Sequence, residues 1–327
     1  MLEVKLNNAG YDPFIDFLKG MCIVWVVLTH SIPYEWQQLI GFPYWGAQAV
    51  PLFLLIQAYH YFKKEALPSI NWKKLFKRIV VPFVMAQVII LASVVIGYYF
   101  FHTGQLTTPI LTWIRSGGSG PGSFYFWIYS QFVILLPCVG WIQKRINIPA
   151  LGWAIVFVVI SELLEILCSL TNISPEIYRL CAFRYVFLIY GGYLWAKDGI
   201  KLNWYTILLS IVSIAAIYLL QYRQMTFEPL VFDTAWRYFH WFCYFYAIWP
   251  LAFATNALFK VGEVHFAQLF QTLGKYSYEI FIFQMMVFYF FPENINPWIY
   301  LTATTLLSIV PVLLWKYIKT RIENQIQ

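Results

Sequence analysis

The sequence predicts an all-α, polytopic membrane protein: a bundle of about ten transmembrane helices with both termini in the cytoplasm. Of its 327 residues, 61% are hydrophobic and only 11% are charged, whereas soluble domains contain about 25% charged residues. The apolar residues form runs of about 20, the length that crosses the hydrocarbon core of a bilayer. These runs are too continuous for β-barrel strands, which alternate apolar and polar residues.

Short polar loops separate the apolar runs, and their basic residues predict the orientation. With the N-terminus in the cytoplasm, 17 of the 22 lysines and arginines lie inside and five lie outside, as the positive-inside rule requires. No loop is long enough for a separate soluble domain, so we expect residues 1–327 to form a single integral-membrane domain. The first run is predicted to be a retained span rather than a cleaved signal peptide. The predicted spans are 14–33, 44–62, 79–101, 123–141, 148–170, 179–197, 203–221, 238–258, 276–291 and 297–316.

Two loops have unusual compositions. The inner loop KKEALPSINWKKLFKR is strongly basic and ends with Lys73, Lys74, Lys77 and Arg78. It is either an ordinary positive-inside signal or a site for an anionic cytosolic ligand, such as a nucleotide phosphate. The outer loop RSGGSGPGS, residues 115–123, is either a flexible connector or a loop that folds back over a site. The net charge of +7 does not indicate nucleic-acid binding, because in a membrane protein the positions of the basic residues matter more than their sum.

The first span carries ionisable residues on one face. Lys19 and His30 are 11 residues apart, which places them within about 20° on a helix and about 16 Å apart along its axis. Asp16 lies on a neighbouring part of the same face. Ionisable groups inside spans usually mark a pathway or a site. The alternatives are an Asp16–Lys19 pair at the membrane interface and a buried His30 that hydrogen-bonds a neighbouring helix.

Histidine is the natural general base near neutral pH, which makes His30 a candidate catalytic residue. Glu35 follows Pro33, a residue that disturbs the helix end. Glu35 therefore either orients His30 or is a simple rim residue. The five cysteines are scattered singly without the spacing of a metal site, so we expect no metal. The sequence carries no signal for the oligomeric state.

The stretch IDFLKGMCIVWVVLTH, residues 15–30, resembles the first span of membrane acyltransferase family 3, in which an acidic residue, Leu-Arg-Gly and an apolar run lead to a histidine. In this resemblance His30 matches the essential histidine and Asp16 the acidic position, while Lys19 replaces an arginine and loses its planar fork. Five further segments resemble family motifs in the same order: FLLIQAYHY (53–61), FKRIVVPFV (76–84), GSFYFWIYSQF (122–132), RYVFLIYGGYLWAK (184–197) and LGKYSYEIFIFQ (273–284).

Two positions depart from the family pattern. The Ser-Gly pair that follows the second span is absent, and Gln57 and Ala58 stand in that region. Gln284 stands where many members have histidine, which leaves a base on the ninth span in doubt.

The resemblance implies transfer of an acetyl group from acetyl-CoA to a hydroxyl of a cell-surface polysaccharide or its lipid-linked precursor, with no permanently bound cofactor. It implies a multi-pass protein of the bacterial cytoplasmic membrane, surrounded by lipid, whose partners are acetyl-CoA and a glycan or lipid-linked sugar, with no nucleic acid. His30 would act as base or acyl carrier. The alternatives are a non-enzymatic exporter or flippase of such a glycan and, less well supported without a large outer loop, a glycan polymerase.

The remaining candidate residues follow from these implied roles. Asp16, Lys19 and the basic inner loop would bind the donor, whose long thin pantetheine arm would thread the bundle from Lys19 to His30. Glu162 and Glu165 share a helix face and either pair with Arg179 or Arg184 or line an acceptor cavity. Outer aromatic residues either stack on sugars or form an interfacial belt. The candidates for an acceptor site or cavity are Arg184, Trp127, Tyr129, Glu162 and Gln284.

Overall fold

The computed structural model describes residues 12–64, 70–101, 107–146, 148–232, 237–292 and 295–326. All regular structure in these ranges is helical. Short 3₁₀ turns precede α3 (42–44 and 46–48), α10 (182–185) and α12 (241–243), and π-helical turns lead into α5 (76–80) and α12 (247–251). The α-helices are α1 Pro13–Ser31, α2 Tyr34–Leu39, α3 Ala49–Phe62, α4 Trp72–Leu75, α5 Val81–Phe101, α6 Thr107–Ser116, α7 Ser123–Arg145, α8 Ala150–Thr171, α9 Pro175–Arg179, α10 Phe187–Asp198, α11 Trp204–Gln221, α12 Ala252–Val261, α13 Val264–Lys275, α14 Ser277–Phe290 and α15 Pro297–Ile326.

Within the described ranges, seven helical segments are long and apolar enough to cross a membrane, which makes the chain a multi-pass membrane protein. They comprise α1, the run from α4 through α5, α7, α8, α11, the run from Trp241 through α12, and α15. The other three predicted spans overlap shorter helices, namely α3 and α14 with 14 residues and α10 with 12 residues. The count of about ten spans and the cytoplasmic termini therefore stay predictions.

Helix α1 lies at the centre of the bundle and packs against α3, α13, α14 and α15. Asp12 caps its first turn by accepting a hydrogen bond from the Phe14 N–H at 3.2 Å. The same carboxylate accepts a hydrogen bond from the Tyr59 hydroxyl at 3.0 Å and pairs with Lys63 at 3.4 Å. Because Tyr59 and Lys63 lie at the C-terminal end of α3, this cluster joins the start of α1 to the end of α3.

Helices α1 and α13 pack backbone against backbone at two glycines. A Cβ atom on Gly20 would overlap the carbonyl oxygen of Phe270, and one on Gly274 would overlap the carbonyl oxygen of Asp16. Small residues allow this close approach of two membrane helices. The contact fixes the part of α1 that carries Lys19.

Helices α6 and α13 were not predicted as helices. Both lie between predicted spans, and both are short, with 10 and 12 residues. Their apolar residues follow the helical period, but neither segment is long enough to give a transmembrane signal. Runs of about 20 apolar residues, which identify membrane spans, do not occur in either segment.

Candidate active site

A cavity of about 370 Å³ lies inside the bundle between α1, α3, α7 and α14. Lys19 and His30, on the same face of α1, both line it, as the sequence predicted for a shared face. Their separation of about 16 Å along the helix gives the cavity its minimum length. Gln57 and His60 of α3 also line it, together with tyrosines of α7 and α14. Most of the wall is apolar, so each polar group stands out.

His30 lines the cavity with its ring packed edge-on against Phe288, at 5.6 Å between ring centroids. Within the described residues, no other group forms a hydrogen bond with its imidazole. The structure thus does not show the alternative in which His30 hydrogen-bonds a neighbouring helix. An imidazole beside an open cavity is available to accept a proton or to attack a carbonyl carbon.

Asp16 and Lys19 form an ion pair at 2.6 Å, and the Lys19 side chain is one-quarter exposed. Lys19 therefore fits both hypotheses for it: it forms a pair with Asp16, and it also lines the cavity of the candidate site. The carboxylate partly compensates its charge, so Lys19 alone attracts an anion less strongly than an unpaired lysine would.

The basic residues Lys73, Lys74, Lys77 and Arg78 lie exposed on α4 and the helical turn that follows it. No ion pair connects them to a carboxylate in the part of the chain that the structure describes. The next residue, Ile79, lines the cavity, and its carbonyl oxygen accepts a hydrogen bond from the Tyr278 hydroxyl at 2.6 Å. The basic segment thus continues directly into the cavity wall.

The glycine-rich loop 115–123 is packed against the bundle rather than being a free connector. Ser119 donates its N–H to Gln87 Oε1 at 2.7 Å, and Gln87 Nε2 donates to the Ser119 carbonyl at 3.0 Å. Gly120 and Gly122, both with φ in the left-handed region, approach Met285 and Phe281 of α14 too closely for a side chain. Gly122 also lines the cavity. The loop therefore folds back over the site, which was one of the two alternatives.

Replacing Gln87 by leucine is expected to loosen this loop. The change removes both bonds to Ser119 and leaves the Trp113 indole N–H, which donates to the same oxygen at 2.8 Å, without its partner. Amide hydrogen exchange of residues 117–122 should become about tenfold faster. The control is Gln268→Leu on the exposed surface of α13. Unchanged exchange in the Gln87 variant would mean that Gln87 does not hold the loop.

Gln284 holds the same loop from the other side. It is fully buried, and its Nε2 donates to the Pro121 carbonyl at 3.1 Å. Its side chain does not line the cavity, which begins at the neighbouring Phe281 and Gly122. The structure thus places Gln284 at a supporting position for the loop.

One of the remaining predicted site residues lines the cavity, and two do not. Tyr129 lines the cavity. Glu35, on the exposed surface of α2, does not reach His30. Trp127 is 42% exposed and donates its indole N–H to the Gly117 carbonyl, so it contacts the loop and not the cavity. Pro33 is the N-cap of the short helix α2, so Glu35 does not continue the helix that carries His30.

Among the described residues, no direct ion pair joins Glu162 or Glu165 to Arg184, although Glu165 lies within electrostatic range of that arginine. Glu165 accepts hydrogen bonds from the Tyr178 hydroxyl and from the Phe232 N–H. Glu162 accepts one from the Trp241 indole N–H at 2.5 Å and lies 3.5 Å from the His240 ring. Tyr178, Phe232 and Trp241 thus supply the hydrogen bonds of the two carboxylates, whereas direct pairing with an arginine was one of the two expectations. Neither carboxylate lines the cavity.

Arg184 is buried behind the cavity wall. Its guanidinium lies 5.0–5.2 Å from the ring centres of Tyr178, Tyr185 and Phe239, an aromatic cage that suits a cation. Its Nε and Nη1 have no hydrogen-bond partner within the described residues. Phe239 lines the cavity, so a single ring separates the arginine from it.

Gln57 and His60 are cavity residues that sequence reasoning did not assign to the site. Gln57 appeared only as a departure from the family pattern, and His60 had no assigned role. A signal was present: Val50, Phe53, Gln57 and His60 follow the helical period, and all line the cavity. The sequence did not show which face of α3 meets α1.

Comparison with known protein families gave one match. The family model described as an acyltransferase domain, acyltransferase 3, matches residues 12–319. No curated protein matches the chain. No solved structure matches it either.

Proposed function

Because the chain belongs to acyltransferase family 3, we propose that it transfers an acetyl group from acetyl-CoA to a hydroxyl of a cell-surface polysaccharide or its lipid-linked precursor. Membership of this family makes it an acyltransferase, and its apolar helices make it a multi-pass membrane protein. The acetyl donor, the glycan acceptor and the bacterial cytoplasmic membrane are the finer parts of the proposal.

The observation that carries this proposal is the cavity that has Lys19 and His30 in its wall. Acetyl-CoA has an anionic nucleotide, a long thin arm and a terminal thioester. A cavity of about 370 Å³ that includes two groups separated by about 16 Å suits such an arm. The exposed basic segment that leads into Ile79 supplies four cations for the phosphates.

In the proposed reaction, His30 accepts the proton of the acceptor hydroxyl while the hydroxyl oxygen attacks the thioester carbonyl carbon. The carbon–sulfur bond breaks, the ester carbon–oxygen bond forms, and the proton passes to the departing thiolate to give CoA. Alternatively, a ring nitrogen of His30 attacks the thioester first and the acetyl-imidazole then acetylates the sugar. Both routes need a free imidazole facing the cavity.

The proposed topology places ten spans in the membrane with both termini in the cytoplasm. The mouth at Lys19 and the basic segment then face the cytosolic acetyl-CoA, and His30 lies in the outer half of the membrane. Tyr129 is available to an acceptor because it lines the cavity. Arg184, Trp127 and Glu162 lie behind or beside the wall, so we propose that they shape the acceptor side rather than touch the reacting atoms. Gln284 and the loop it holds would cover that side.

Replacing Lys73, Lys74, Lys77 and Arg78 by glutamine is expected to weaken acetyl-CoA binding at least tenfold, because phosphate contacts lose their cations. The salt dependence of binding should also become shallower. Isothermal titration of the purified protein at several ionic strengths measures both. The control removes positive charge from Lys319 and Arg321 of α15, which are exposed and lie outside the cavity lining. If both variants bind acetyl-CoA equally well, the basic segment does not bind the donor and is only an ordinary positive-inside signal.

The experiment that tests the function is mass analysis of the host's surface glycan with and without this protein. Acetyl groups that appear only when the protein is present, together with acetyl-CoA consumption by the purified protein, support the proposal. A glycan that is merely absent from the surface, with no acetyl-CoA consumed, would indicate an exporter or flippase instead.

A further inference from the structure

Gln57 is a polar group in the cavity wall that neither the fold nor the proposed chemistry uses. It lies on α3, and the neighbouring cavity residues on the same helix are Phe53, Ile56 and His60. Its Oε1 is buried without a hydrogen-bond partner in the described part of the chain. A buried carbonyl oxygen without a partner is unfavourable and needs an explanation.

Two other buried glutamines show what a structural role looks like in this protein. Gln48 and Gln284 also have a free Oε1, but each uses its Nε2 to hold a loop. Gln48 donates to the Pro43 carbonyl at 2.9 Å, and Gln284 donates to the Pro121 carbonyl at 3.1 Å. Across the described residues, no side chain or carbonyl forms such a bond with Gln57. The fold therefore does not account for its carboxamide.

The position of Gln57 along the cavity follows from the contacts between α1 and α3. Asp12, at the start of α1, binds Tyr59 near the end of α3. His60 lies in the same region, within electrostatic range of Lys19 and Asp16. Gln57 is three residues earlier, about 4.5 Å further from this mouth along α3. A ligand that extends from Lys19 to His30 passes Gln57.

The chemistry of the carboxamide indicates what it binds. Its oxygen accepts a hydrogen bond and its nitrogen donates, which matches the N–H and the carbonyl of a secondary amide. The arm of acetyl-CoA carries two secondary amides between its nucleotide and its thioester, and its remaining atoms there are mostly apolar. We propose that Gln57 binds one of these amides and so fixes how deeply the arm enters the cavity. This inference rests on the proposed acyl-CoA donor.

The test compares two ligands on the purified full-length protein: CoA, which has the arm, and its bisphosphorylated adenosine half, which lacks it. Gln57→Leu is expected to weaken CoA binding about threefold to tenfold, the usual effect of losing a neutral hydrogen bond. Binding of the adenosine half should stay unchanged. The KM for acetyl-CoA should rise by a similar factor with little change in kcat. The variant with glutamine at Lys73, Lys74, Lys77 and Arg78 should bind both ligands more weakly than the wild type does.

Thermal unfolding of the ligand-free protein gives an independent readout. Leucine removes a buried oxygen that lacks a partner, so Gln57→Leu should unfold at the same temperature as the wild type or higher. A glutamine with a structural role would show the opposite, as expected for the control Gln284→Leu. Equal loss of both ligands, no loss of CoA, or a lower unfolding temperature would each overturn the inference. If the wild-type protein binds no CoA, the proposed donor fails first, which is a separate result.

Discussion

His30→Ala is expected to reduce acetyl transfer by about a thousandfold, within the range of 10² to 10⁴ that general acid–base catalysis contributes. The imidazole lines the cavity and has no hydrogen-bond partner in the described residues, so its loss removes a reactive group and little of the fold. The rate should be measured as acetyl transfer from labelled acetyl-CoA to glycan by the purified protein in liposomes. Acetyl-CoA binding should change less than the rate.

His265→Ala provides the matched control for this prediction, because His265 is exposed on α13 and lies outside the cavity lining. Its rate should equal that of the wild type. A His30→Ala variant that folds, binds acetyl-CoA and transfers at the normal rate would contradict the catalytic role. A His30→Ala variant that still takes up one acetyl group per protein in an initial burst would contradict the acyl-histidine route in particular.

Gly20→Ala and Gly274→Ala are expected to destabilise the protein by about 1–3 kcal/mol each, the usual range for overpacking. The added methyl group would overlap a backbone oxygen of the partner helix, which cannot move as freely as a side chain can. Alanine favours a helix over glycine by about 1 kcal/mol, which offsets part of the loss. Thermal unfolding of the purified protein in detergent should show a fall of several degrees.

The same variants should also lower the activity, because α1 would shift near Lys19, at the mouth of the cavity. Gln268→Ala places the same new side chain at an exposed position of α13 and should leave both the stability and the activity unchanged. An unfolding temperature that rises in the glycine variants would show that only helix propensity had changed. The close packing of α1 on α13 would then be wrong.

The shared face of Lys19 and His30 on α1 could be predicted because it follows from the helical period alone. An apolar run of the right length and a spacing of 11 residues were enough to place Lys19 and His30 on one face. The structure confirms that this face borders a cavity. What surrounds the face could not be read from α1 itself. The face that α3 turns to the cavity depends in part on its close packing against α10 at Gly191 and Gly192.

Partners that come from distant loops were the least predictable part of the site. The two carboxylates of α8 were expected to pair with nearby arginines, yet they bind groups at Tyr178, Phe232 and Trp241. Opposite charge was the only signal in the sequence, whereas the hydrogen bonds to the two carboxylates come from a hydroxyl, an amide N–H and an indole N–H. Gln57 was missed for a similar reason, since a lone glutamine in an apolar span has no distinctive pattern.

In the proposed mechanism, the donor's arm occupies the cavity from the Lys19 mouth to His30. The most direct test is an experimental structure of the protein with an acetyl-CoA analogue whose sulfur is replaced by a methylene group. We expect the arm to lie between α1 and α3, with one amide beside Gln57 and the acetyl carbonyl next to the His30 ring. An analogue bound elsewhere, with the cavity empty, would contradict it.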